Sequence, residues 1–351
     1  MPGQQFWLSL LKSCEAVHAS LDLKTTQKNI VENAHDLFEA KAAAIMLFDM
    51  ADGALKISAS HGLSQEYLDK GPISPDRSLQ ETILGSAVVA TDVATDSKVQ
   101  YRKAAASEGI LSIVGLPLSL GSIMAGSLRL YYDKPMEFSR EELEAMQSFA
   151  NQSGQALRKS FYFESIKETT EIHRMPALYS FEKTMDRLLK AAAKSAHAKG
   201  CALWLINREK SALDLIKSVG LSEKYIAKGS ISLEKSLGEV KTQAPVCVTC
   251  VLDDERVQYP EHAAEENIES IIGLPVFAGD TVVGALRFYY LFEFIPDEGD
   301  YAWMSAMAAH VGSALTKNQL MIKLKADSDD YQDMLEDIHA KHYRTDLALK
   351  D

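Results

Sequence analysis

Apolar positions along this chain switch between helical and strand spacing in a fixed order. Trp7, Leu10, Cys14, Val17 and Leu21 return every three or four residues and mark one stripe on a helix. Asp22 stands where it can cap a second helix to about Glu39, with Ile30, Ala34 and Leu37 on its inner face. The runs AAAIMLF and ALKISAS, divided by Asp52-Gly53, fit two strands of a hairpin. A helix-prone stretch from Pro75 to Leu84 and a strand around Ala87 to Val93 follow. Two strands, ILSIVGLPL and IMAGSLRLYY, then turn at Gly121-Ser122. A long helix is predicted from about Ser139, because Leu143, Met146, Ala150, Ser153, Leu157 and Phe161 keep one face apolar or small. It runs to about His173, where Met175-Pro176 interrupts it.

The order then repeats. Residues 101–117 (YRKAAASEGILSIVGLP) match 259–275 (YPEHAAEENIESIIGLP) at an offset of 158, which also carries Gly62 onto Gly220, Asp96 onto Asp254 and Arg129 onto Arg287. From Lys41 and Lys199 onward roughly two residues in five are identical without a gap. In the second copy Ser180 is placed to cap a helix to about Ala198, CALWLIN and ALDLIKS form the hairpin, and the last turn is Gly279-Asp280. The period is too long for a solenoid and suits a complete domain. The expected division is an N-terminal helix (1–21), a first domain (22–163), a helical junction (164–179), a second domain (180–321) and a helical tail (322–351). In the tail Met321, Leu324, Ser328, Tyr331, Leu335, Ile338 and His342 follow heptad steps, which suit pairing with another helix. The fold class is α+β, with one antiparallel sheet per copy.

Charge narrows the partners. A net charge of −12 without a local Lys/Arg cluster opposes nucleic acid. No apolar run is long enough for a bilayer span, and the N-terminus lacks the pattern of a signal peptide. Four cysteines in 351 residues form no disulfide framework. The sequence therefore reads as cytoplasmic, with no membrane or nucleic-acid partner.

The phrases HGLSQEYLDKGPIS, DVATDSKVQY, EGILSIVGLPL and GSLRLYY, matched in the second copy by VGLSEKYIAKGSIS, VLDDERVQY, NIESIIGLPV and GALRFYY, resemble the GAF family. The resemblance implies two GAF-like domains, each a central antiparallel sheet with terminal helices on one face, where they make dimers. Short helices and loops cover a pocket on the other face. Family members sense cyclic nucleotides, bilins or haem, and some bind no known ligand. The bilin members' Cys-His pair is absent, and the Asn, Lys, Phe, Asp, Glu signature of the cyclic-nucleotide members cannot be traced. Free methionine sulfoxide reduction would need pocket cysteines that the first copy lacks. For haem, His61 lies beside the presumed pocket, but the second copy has Val219 there. No cofactor is expected.

Strand alternation puts Ser127, Arg129 and Tyr131 on the face opposite Leu128, Leu130 and Tyr132. Arg129 and Arg287 then either bind an anionic ligand in bidentate fashion or pair with an acidic residue of a covering helix. Ser112 and Ser270 either donate to a ligand or bond to backbone. Ser78 and Ser236 either hold an anion or cap a helix. Tyr101 and Tyr259 either line the pocket or anchor its loop. Cys247 and Cys250 form a C-x-x-C motif in a predicted strand without further metal ligands, so they read as structural. No metal site and no catalytic pairing of nucleophile with base emerges, so no enzyme is expected. Two functions remain. One is a sensor of an unknown small molecule, a homodimer that signals to a protein partner through its helices. The other is a scaffold with filled pockets.

Overall fold

The computed structural model describes residues 3–50, 53–71, 73, 74, 82, 85–174, 181–234 and 236–322. The helix-prone stretch from Pro75 to Leu84, the junction at Met175-Pro176, the cap at Ser180 and the heptad tail beyond Ile322 lie largely or wholly outside them. Each copy is an α+β unit.

In the first, α1 (Gln4–Val17) and α2 (Leu23–Leu37) precede β1 (Ala42–Phe48), β2 (Leu55–His61), α3 (Gln65–Leu68), β3 (Val88–Ala90), α4 (Arg102–Ser107), β4 (Ser112–Leu120), β5 (Ile123–Tyr132) and α5 (Arg140–Arg174). Asp22 caps α2 as expected, accepting from the Thr25 amide at 2.8 Å. Trp7 does not follow its stripe and is exposed, whereas Leu10 and Val17 are buried. The second copy continues with α6 (Phe181–Ser195), β6 (Gly200–Asn207), β7 (Ala212–Val219), α7 (Glu223–Ile226), β8 (Ile231–Ser232), α8 (Glu239–Thr242), β9 (Val246–Val248), α9 (Pro260–Glu265), β10 (Ser270–Ala278) and β11 (Thr281–Tyr290). A closing helix follows, described over 298–322. Strand order is β2-β1-β5-β4-β3 in one sheet and β8-β7-β6-β11-β10-β9 in the other, and every pair is antiparallel.

Period-two alternation sorts each strand between two cores. Val114, Leu116, Leu128, Leu130 and Tyr132 pack with Ile30, Met146, Phe149 and Leu157 of the helices. Ala42, Ala44, Ile113 and Tyr131 face the other way, packed with Tyr67 of α3 and Val93 after β3. The closing helices lie directly on the sheet because Gly154 and Gly312 permit it. A Cβ at either would stand 2.0 Å from the carbonyl oxygen of Ser119 or Phe277.

The 35 residues of α5 serve both copies. Its first half buries Met146, Phe149, Ala150 and Leu157 in the first copy, and farther along Ile172 joins the second core with Tyr162 against it. Polar bonds fix this junction. Arg158 donates from both terminal nitrogens to Asp297 at 2.6 and 2.7 Å, and the Tyr162 hydroxyl donates to buried Asp300 at 2.6 Å. The Tyr162 ring stacks on Trp303 at 4.8 Å, and the indole N–H of Trp303 donates to Ser165 Oγ at 3.0 Å. Asp297 and Asp300 already cap their own helix by exchanging bonds with each other's amides. The same cap therefore clamps one domain to the other.

Candidate functional site

The face of each sheet away from the terminal helices is lined by residues at the same offset in both copies. Tyr67, Lys70, Arg129 and Tyr131 correspond to Tyr225, Lys228, Arg287 and Tyr289. Short capped helices bring in the first two of each set. The Ser64 and Ser222 hydroxyls accept from the amides of Tyr67 and Tyr225, and Glu108 and Glu266 clasp those serines. The lysine then turns back over the ring. Lys70 Nζ lies 3.6 Å from the Tyr67 ring centre and Lys228 Nζ 3.0 Å from that of Tyr225.

In the second copy the polar groups satisfy one another. Arg287 is buried and donates from Nε to Glu239 Oε1 at 2.7 Å, with Nη2 2.6 Å from the same oxygen and donating to Ser236 Oγ at 2.8 Å. Ala202 and Gly273 flank Arg287 on the adjoining strands. A Cβ on Gly273 would meet Glu239 Cδ at 3.1 Å, so glycine leaves room for the carboxylate. Trp204 is fully buried and its indole N–H donates to the Tyr289 hydroxyl at 3.1 Å. Arg287 and Lys228 approach its ring at 6.0 and 5.6 Å. Burial, helped by repulsion from Arg287 and opposed by Glu266, pushes the Lys228 ammonium down to about 6. The cavity left among Tyr225, Lys228, Tyr259 and Arg287 is about 20 Å³, room for about one water.

In the first copy the strand frame is the same, with Ala44 and Gly115 beside Arg129. The Tyr67 and Tyr131 rings meet edge to face at 5.8 Å, as Tyr225 and Tyr289 do at 5.7 Å. Two of the positions that differ are paired across neighbouring strands. Met46 stands where the second copy has Trp204, and Ser127, its cross-strand partner, where the second copy has Ala285. The Tyr131 hydroxyl lies near Tyr67 and Arg129 without a bond of hydrogen-bond geometry, and Ser127 Oγ also has no partner, although both residues are fully buried. Burial pushes Lys70 down to about 8, with a further lowering from Arg129.

The sequence expectations separate on this geometry. Arg129 and Arg287 face away from the terminal helices as the alternation requires, but Arg287 is committed to Glu239 and Ser236, not open to an anion. Ser236 acts as that second partner and caps no helix. Ser112 and Ser270 do not reach this face, because they share register with Tyr132 and Tyr290 on the helix side. They donate to the carbonyls of Lys134 and Phe292, both at 2.8 Å. Tyr259 lines the cavity and also anchors the loop, donating to the Ser230 carbonyl at 3.1 Å. The Tyr101 ring packs against a small cluster of Met46, Leu55 and Ile73. Ser78 lies outside the described residues. His61 ends β2 instead of lying in a loop and meets the His35 ring edge to face at 4.7 Å. Cys247 sits in β9, and Cys250 follows the strand. Among the described residues no group of His, Cys, Asp and Glu could hold a metal ion, and no helix is long and apolar enough to cross a membrane.

Sequence reasoning passed over Lys70, Lys228, Glu239 and the Met46/Trp204 exchange. The lysines were available in the repeated phrases YLDKG and YIAKG. The exchange was visible only as a mismatch, and a repeat search discards mismatches.

Comparison with known proteins agrees on the family. Two family profiles, each described as GAF domain, match residues 22–157 and 179–316. No match is found among curated proteins. Similar solved structures include the GAF domain of a phosphoenolpyruvate-protein phosphotransferase from Coxiella burnetii, at 15% identity over 46% of this chain and 95% of that one, with a TM-score of 0.41. The corresponding domain from Acinetobacter is 15% identical over 48% of this chain and 98% of that one, with a TM-score of 0.39. A bacteriophytochrome from R. palustris is 10% identical over 82% of this chain and 64% of that one, with a TM-score of 0.42. The chain belongs to the GAF family and carries two GAF domains in tandem.

Proposed function

We propose that this protein is a non-enzymatic sensor of a small molecule, which binds in the first GAF domain, and that the second domain is a filled copy that receives and relays the signal. The observation that carries this reading is the unequal polar accounting of two matched interiors. A buried polar group without a partner costs about 1–3 kcal/mol. Ser127 and Tyr131 leave two such groups in one domain, whereas Trp204 satisfies the equivalent tyrosine in the other. A ligand that bonds both groups recovers that cost, and its differential affinity shifts the population of domain arrangements. The relay is α5, whose ends pack on both domains. The filled interior of the second domain favours a scaffold role for that copy.

Native mass spectrometry of the full chain purified from its host tests the reading. The expected result is a retained small molecule, lost in the double variant Ser127→Ala, Tyr131→Phe. A parent that retains nothing and is stabilised by nothing in a metabolite screen overturns it. Exposed Leu8 and Leu11 on α1 and Leu320 and Ile322 on the closing helix support a homodimer through the helical faces, from which a protein partner would read the signal. Light scattering at micromolar concentration is expected to report twice the chain mass.

A further inference from the structure

The two interiors share nearly every wall. Ala44, Leu55, Tyr67, Lys70, Ile73, Tyr101, Arg129 and Tyr131 recur as the identical residue at the offset, and the aromatic pair keeps its edge-to-face geometry to within 0.1 Å. Against that constancy, the paired positions Met46 and Ser127 become Trp204 and Ala285 on neighbouring strands. The change is coordinated. Where the indole is present, it supplies a donor to the tyrosine hydroxyl and a π-face to the Lys228 amine and the Arg287 guanidinium, and no neighbouring hydroxyl is left over. Where it is absent, the tyrosine hydroxyl loses its donor, and a second hydroxyl without a partner, that of Ser127, stands across from Met46.

We infer that Trp204 occupies in the second domain the position that a ligand ring takes in the first, so that the ligand is a flat heteroaromatic molecule whose ring N–H donates to the Tyr131 hydroxyl. This rests on the sensing reading above and names the class of molecule sensed. An electron-rich ring suits the place, because Lys70 and Arg129 are the equivalents of Lys228 and Arg287, which approach the indole. Ser127 Oγ, across the strand pair from Met46, donates to an acceptor on the same molecule. Methionine is the side chain suited to yield the space, since its unbranched thioether repacks at low cost.

Indole is the probe, titrated calorimetrically into the full chain. The parent is expected to bind one equivalent, Met46→Trp none and Trp204→Met two. 1-Methylindole, which has the same face but no ring donor, is expected to bind the parent about tenfold more weakly, the equivalent of one lost hydrogen bond. If Trp204→Met fails to fold, Met46→Trp and the methylated probe decide the question alone. Indole binding that survives Met46→Trp, or equal affinity for both probes, overturns the inference. A parent that ignores indole but retains a host metabolite dependent on Tyr131 overturns it too, while leaving the sensing reading standing. A parent that binds neither removes both.

Discussion

The two GAF domains of this chain are built on one pattern and treat one matched tyrosine in opposite ways. The second is self-sufficient, with a guanidinium held by a carboxylate and a tyrosine held by an indole. The first keeps the tyrosine and loses the indole. Duplication thus preserved the frame and changed what fills it. The lesson is that a fold assignment valid for both copies says nothing about which is occupied.

The largest expected effect tests the self-sufficiency. Arg287→Met strands Glu239 as a buried carboxylate, and breaking a buried pair from one side costs about 3–5 kcal/mol. Urea denaturation is expected to show that loss in the second domain, and a change below about 1 kcal/mol would mean that the pair is not what holds the interior closed.

The tyrosines sharpen the contrast at lower cost. Tyr289→Phe leaves the Trp204 N–H without its acceptor and is expected to destabilise by about 1–3 kcal/mol. Tyr131→Phe removes a hydroxyl that has no partner, so it is expected to be neutral or stabilising in ligand-free protein. Equal losses from the two substitutions would erase the distinction drawn between the domains.

The lysines separate the domains by pH. Both ammonium groups titrate lower in the folded protein than in the unfolded chain, so the unfolded chain holds more protons and stability rises with pH. The window for Lys228 runs from about 6 to the ordinary lysine range, and that for Lys70 from about 8. Within its window each group contributes a slope of up to about 1.4 kcal/mol per pH unit. Lys228→Met is expected to flatten the stability profile between pH 6 and pH 8, and Lys70→Met to leave that range unchanged. An unchanged profile in Lys228→Met would show that the amine is solvated.

The smallest effect belongs to the cysteines. Cys247→Val with Cys250→Asp restores the residues of the first copy, Val89 and Asp92, and is expected to alter stability by no more than about 0.5–1 kcal/mol. Metal analysis of the parent is expected to find no zinc. A stoichiometric metal lost in the double variant would contradict the structural role of this pair.

Much of the architecture was legible because periodicity is local. The strand AAAIMLF, the cap at Asp22, the extent of α5 and the inward parity of Arg129 follow from residues close together in the chain. The site was less legible because its pairings are distant. Glu239 meets Arg287 across 48 positions and Trp204 meets Tyr289 across 85, and no spacing rule connects them. The serines mark the same limit from the other side. Ser112 and Ser270 interrupt apolar runs, yet a hydroxyl on either face of a strand interrupts it equally, and only register with Tyr132 and Tyr290 decides which face it takes.

The continuity of α5 gives this protein an angular gauge. A helix turns about 100° for each residue, so the stripe that seats on the first domain and the residues that clamp the second, Tyr162 and Ser165, are held in phase by the number of residues between them. One residue inserted between Arg158 and Tyr162 would swing the second domain about a quarter turn and part Arg158 from Asp297, although every contact within either domain survived. Seven inserted residues nearly restore the phase and lift the second domain by about 10 Å. The length of this rod is thus under the same constraint as the composition of a core, and changes in it are tolerated only in whole turns.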